Sequence, residues 1–182
     1  MISYKECEVD KDVLVHTCDP CLAPELGRIR SFCLIKKGTT ITIPFDLQEW
    51  TAAIESGDII VIPDSTGTFD GGTPKMGAGY GNKSERKLGD DYVLAVSDPA
   101  YLANTEFWEA AEKETWNIAY RTEKVLHVVD EDVTIVASAP VEADVDSEVV
   151  WNVNATWFSK SKPKASLFEP IKSLFKCFEI TD

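Results

Sequence analysis

No apolar run in this 182-residue chain approaches the roughly 18 residues that a membrane helix needs, and the N-terminus, Met1-Ile-Ser-Tyr-Lys-Glu-Cys-Glu8, lacks the apolar core of a signal peptide. A soluble, non-exported protein with no membrane partner is the expectation. Histidine is nearly missing: His16 and His127 are the only two. His127 lies mid-strand between Leu126 and Val128, which suits a sheet residue better than a general base. No Gly-x-Ser-x-Gly elbow occurs, and neither histidine accompanies a cysteine or serine motif. These gaps point away from an enzyme. Positive charge is scarce as well: 18 Lys and Arg stand against 31 Asp and Glu, a formal charge of −13. Residues 1–158 alone hold 13 basic against 28 acidic residues, −15. So acidic a body does not grip nucleic-acid phosphates, which takes clustered Lys and Arg.

Gly77-Ala-Gly-Tyr-Gly-Asn-Lys-Ser84 has the look of a nucleotide loop but lacks its context. A phosphate loop needs Gly-Lys-Ser/Thr contiguous and opening a helix, whereas Asn82 intervenes here and a strand follows. No cofactor is expected. Four of the five cysteines, Cys7, Cys18, Cys21 and Cys33, fall in the first 33 residues. Cys18-Asp-Pro-Cys21 has the spacing of half a zinc site, to which Cys7, His16 or Cys33 could add ligands. A second closely spaced pair is missing, and Cys33 sits inside the strand-like Arg28-Ile-Arg-Ser-Phe-Cys-Leu-Ile35, where it packs as a small apolar residue. Glu142, Asp144, Asp146 and Glu148 alternate along the chain; without the glycine and ligand order of a calcium loop they read as a solvated rim.

What is present is enough for one domain with appendages: 44% apolar and 10% aromatic residues support a core. The chain is organised around 58–97. Asp58-Ile-Ile-Val-Ile-Pro63 and Tyr92-Val-Leu-Ala-Val-Ser97 read as core strands. Between them, residues 64–91 carry seven of the ten glycines and no sustained apolar period, the pattern of a long functional loop. Phe69, Asp70, Gly71, Gly72, Gly79 and Tyr80 are its candidate contact residues.

Residues 1–27, with Pro20 and Pro24, read as an extended arm. A strand over 28–37 and a second at Thr39-Thr-Ile-Thr-Ile43 predict a hairpin. Asp46 then caps a helix carrying Leu47, Trp50, Ala53 and Ile54, with Glu49 placed as in a capping box and Gly57 as its stop. Asn104-Thr105 opens a second short helix with Phe107 and Trp108. Strand alternation returns at Trp116, Ile118 and Tyr120, then at Val125-Leu-His-Val-Val129, Val133-Thr-Ile-Val-Ala137 and 148–157. In the last of these Val149, Trp151, Val153, Ala155 and Trp157 share a core face.

The fold expected is α+β and mainly antiparallel, a β-sandwich or partial barrel over 28–158 with two short flanking helices. Residues 159–166 read as a basic linker. Leu167, Phe168, Ile171, Leu174, Phe175 and Phe178 then recur at helical spacing, an amphipathic helix within 159–182 that reads as a docking arm for a neighbouring subunit, with folding back on its own sheet as the alternative.

Glu55-Ser-Gly-Asp-Ile-Ile-Val-Ile-Pro63, Gly67-Thr-Phe-Asp-Gly-Gly-Thr-Pro74 and Ser147-Glu-Val-Val-Trp-Asn-Val-Asn-Ala-Thr-Trp-Phe-Ser159 resemble virion structural proteins of tailed bacteriophages, especially ring, tail-tube and neck-type proteins of crAss-like phages. The resemblance covers about residues 28–160 and transfers no catalytic residue. It implies a tail-tube-like β-sandwich whose long loop reaches an adjacent subunit. It also implies a homo-oligomeric ring in the virion, assembled in the host cytoplasm beside other virion proteins, with genomic DNA only as non-specific channel content. A capsid-associated or decoration protein fits the same likeness. From another class, the cysteines leave open a cellular zinc- or ligand-binding β module.

Overall fold

The structure, a computed structural model, describes residues 27–63, 65–141 and 148–175. Its elements run β1 (Ser31–Lys36), α1 (Leu47–Glu55), β2 (Ile59–Ile62), β3 (Thr66–Phe69), β4 (Thr73–Gly77), β5 (Arg86–Asp98), α2 (Thr105–Ala111), β6 (Trp116–Arg121), β7 (Val125–Ser138), β8 (Trp151–Ser159) and β9 (Lys164–Leu167), then a 3-10 helix, Glu169–Phe175. Every pairing is antiparallel, in the order β2-β1-β6-β7-β8-β5-β3, with β4 added to β5 and β9 to β7. The architecture is α+β and mainly antiparallel, as the sequence predicts.

The sheet is open and turns back over itself along β7. The first part of that 14-residue strand pairs with β6 and β9, its last five residues with β8. Phe32, Leu34, Ile118 and Tyr120 from one half thereby meet Leu94, Val96, Val153 and Trp157 from the other in an inner core, to which α2 adds Trp108 and Ala111. An isolated bridge between Ile29 and Gly67 brings β3 toward β1 without completing a barrel. Gly67 is required there, because a Cβ would run into the Ala95 carbonyl.

A second core lies on the outer face of β1, β6 and the start of β7. Cys33, Ile35, Ala119, Leu126 and Val128 are covered by Phe45, by Trp50 of α1 and by Phe168, Ile171 and Phe175 at the C-terminal end. That is why β1 is buried on both faces through Ser-Phe-Cys-Leu-Ile, whereas β8 alternates strictly, with Trp151 and Trp157 inside as expected. Asp46 caps α1 through a hydrogen bond from the Gln48 amide (2.8 Å), and Gly57, at φ +77°, ends its turn. Glu49 does not return to the cap; its Oε1 accepts from the Thr42 amide instead (2.9 Å).

Several expectations need correction. Residues 39–43 form no strand, because β2 and β6 already occupy both edges of β1. The two strands expected over 125–137 are one. Residues 130–132 bulge opposite Asn117 rather than turn, and point Asp130 and Asp132 at Lys164 and Lys37. The predicted core strand at 58–63 is a half-buried edge strand.

Most consequentially, the loop predicted over 64–91 is largely sheet. β3, β4 and the first six residues of β5 occupy it, since β5 offers an edge along its whole length to strands too short and glycine-rich to show a period of their own. The linker over 159–166 likewise contains the start of β9, which covers the edge of β7 at Val125–Val128. The C-terminal helix predicted from Leu167 is a 3-10 turn packed on its own chain. Residues 1–26 of the N-terminal arm predicted over 1–27, residues 142–147 and Phe178 lie outside the described residues.

Candidate assembly surfaces

β4 and the beginning of β5 form a hairpin that stands out from the body. Thr73, Pro74, Lys75 and Met76 are exposed, as are Arg86, Lys87 and Leu88, and among the described strands β4 pairs with β5 alone. A turn closes it, with the Lys83 amide donating to the Tyr80 carbonyl (3.3 Å) and Gly81 at φ +65°. Tyr80 is 93% exposed. The outer part of the hairpin, residues 75–89, holds Lys75, Lys83, Arg86 and Lys87 against Glu85, a local charge of +3, and its base adds Asp90 and Asp91. The rest of the chain therefore carries −16.

The base of the hairpin is built more firmly than its tip. Asp70 Oδ1 accepts from the Gly72 amide (2.9 Å) and the Val93 amide (3.1 Å). Gly72, at φ +93°, lies against the Tyr92 ring, which a Cβ would strike. Asp90 is buried; its Oδ2 lies 2.7 Å from Lys87 Nζ and 3.9 Å from Lys162 Nζ and accepts a hydrogen bond from the Tyr92 hydroxyl (3.3 Å). The Lys87 hydrogen bond holds its carboxyl below the usual carboxylate range despite burial. Burial, then the Asp90 charge, pushes the Tyr92 phenol up.

The six predicted loop residues therefore do not make one surface. Gly79 and Tyr80 are at the tip, while Asp70, Gly71 and Gly72 shape the base. Phe69 is partly buried and packs on the inner core, with ring centroids 5.1 Å from Tyr120 and 5.8 Å from Tyr92. Sequence reasoning missed Lys83 and Arg86. A local charge count over 75–89 finds them.

Two further surfaces carry no cover among the described residues. On the outer face of β7, β8, β5 and β3, cross-strand rows run Ser138, Asn152, Ser97, Thr66 and then Val136, Asn154, Ala95, Thr68. None of these eight residues is charged. At the far end of β5 from the hairpin, an apolar groove of about 320 Å3 lies between β2 and α2, lined by Ile60, Ile62, Pro63, Pro99, Ala100 and Phe107. Buried Asp98 fixes the α2 wall, accepting from Trp108 Nε1 (2.9 Å), Asn104 Nδ2 (2.7 Å) and the Ala100 amide (3.0 Å).

The predicted docking-arm residues turn inward. Phe168, Ile171 and Phe175 are buried on their own sheet, with Phe175 5.9 Å from Trp50, and Leu174 packs beside them. Leu167 is 66% exposed. The nearby cations are also engaged within the chain: Lys164 pairs with Asp130 (2.5 Å), and Lys162 Nζ donates to the Gly71 carbonyl (3.1 Å).

Cys33 is fully buried, and burial pushes its thiol up. His127 stacks on Tyr120, centroids 4.8 Å apart. Among the described residues no group of three or more His, Cys, Asp and Glu could hold a metal; Cys7, Cys18, Cys21 and His16 lie outside them. No described helix is long and apolar enough to cross a membrane. No protein family, curated protein or solved structure matches the chain.

Proposed function

We propose that this chain is a non-enzymatic structural protein of a tailed-phage virion that self-assembles into a ring or tube-like part of the tail or neck. The carrying observation is the basic hairpin. A two-stranded ribbon exposed on both faces is marginal in water by itself, and a neighbouring subunit supplies the packing that its own body does not. The charges favour such a neighbour, since +3 on the outer part of the hairpin, residues 75–89, faces −16 on the rest of each copy. The virion assignment rests on the resemblance of the segments at 55–63, 67–74 and 147–159.

Its partners on this reading are copies of itself and other virion proteins, assembled in the host cytoplasm. Genomic DNA is only channel content, because an acidic wall repels phosphates and lets the duplex slide. Electron microscopy and sedimentation of the purified full-length protein test the reading. Rings or tubes are expected. A strict monomer at every concentration, with one equivalent of zinc lost on Cys18→Ser with Cys21→Ser, would replace it by the metal-binding module.

A further inference from the structure

We infer that the hairpin tip of one copy docks into the groove between β2 and α2 of the next, joining copies head to tail through Tyr80. The inference rests on the self-assembly reading above and adds the two surfaces that meet.

The groove has the features of an acceptor. Among the described residues β2 pairs with β1 on one edge only, and Ile59-Ile-Val-Ile62 contains no charge and no proline. Edge strands usually avoid further pairing by such devices, and β4 has them in Pro74, Lys75 and a register shift. With no described residue covering the free edge of β2, and Phe107 opposite, the cleft is apolar in a chain that is 27% charged.

Tyr80 suits that cleft. Its ring supplies apolar area and its hydroxyl remains at the wet rim, the two-ended character that makes tyrosine common at interfaces. Charge gives the direction. Lys83 and Arg86 beside the tip, and Glu106 and Glu109 exposed on the helix that walls the groove, have no ion-pair partner among the described residues. Opposite signs at the two surfaces steer the encounter and disfavour tip against tip.

Distance excludes the contact within one chain. The hairpin joins β5 at Arg86, and the groove begins where β5 ends at Asp98. Thirteen strand residues span about 40 Å, and the tip extends further away. The two surfaces are different and lie at opposite ends, so the contact is heterologous and propagates into a closed ring or an open filament.

Sedimentation velocity on the full-length chain tests this, with thermal melts confirming that each variant folds. Tyr80→Ser, and separately Lys83→Glu with Arg86→Glu, should raise the concentration needed for assembly by about tenfold or more, the scale of an interface hot spot. Glu106→Lys with Glu109→Lys should do the same. Mixing the two charge-reversed proteins should restore assembly, because each then offers the other a complementary surface. Wild-type assembly that none of these variants disturbs overturns the tip-to-groove contact while leaving self-assembly standing; a wild type that never assembles removes both. A hairpin whose charge reversal abolishes binding to duplex DNA, with assembly unchanged, is a nucleic-acid arm, and the inference falls.

Discussion

Outward from the β2-β1-β6 half of the sheet point Cys33, Ile35 and Ala119, covered by Trp50 of α1 and by Phe168 and Phe175. Outward from the β8-β5-β3 half point Asn154, Ser97 and Thr68, with no covering element among the described residues. One continuous sheet thus has a sealed back and an open back. The difference is already written in the strands: β1 is apolar at successive positions, while β8 places Asn152, Asn154 and Thr156, and only then Phe158, at every second one. A face that is mainly Thr, Ser and Asn, with Val93, Val136 and Phe158 scattered among them, needs no lid in water, since single exposed apolar residues are ordinary on a surface. An aliphatic and aromatic face does, since each large side chain left exposed forgoes about 1.5–3 kcal/mol.

The sharpest test of the contrast is Phe168→Ala on the sealed side, expected to cost about 3–5 kcal/mol as a truncated buried aromatic. Urea melts read the loss; an unchanged midpoint would free the C-terminal segment to act as an arm between copies. Asp90→Asn probes the crossing between the two halves, where Lys162 and the Ser161 carbonyl meet Asp90 and Tyr92. Because its native pKa is depressed, Asp90 stabilises the fold above the ordinary carboxylate range, and this contribution is lost as pH falls through the native value. Melts of wild type and variant should therefore differ at neutral pH and converge in strong acid. A gap of constant size would assign the effect to packing rather than charge. The smallest effect is expected for Asn154→Lys on the open side, within about 0.5 kcal/mol. A much larger loss would mean that something covers this face.

Where a signal was local, the sequence revealed it. Asp46 and Gly57 bound α1, and alternation in 148–157 puts Trp151 and Trp157 inside. Where the signal lay in a partner strand, it was hidden. β3, β4 and β9 have four or five residues each, with glycine, proline or lysine among them, and they are strands because β5 and β7 offer them an edge. The stripe Phe168, Ile171 and Phe175 was visible as apolar, but nothing local shows that its counterpart is Trp50, more than 100 residues away in the chain. The candidate site divides in the same way. Tyr80 and the glycines around it stand out in the sequence, whereas the groove joins β2 to α2 and exists only after folding.

Cys33 gives the sealed back a chemical readout. A thiol attacks alkylating reagents as thiolate, and burial both raises its pKa and closes the approach to sulfur. In the native chain this cysteine is silent, and it becomes reactive only when the cover formed by α1 and the C-terminal segment lifts. Its labelling rate, followed at that one residue, thus counts the openings of the cover.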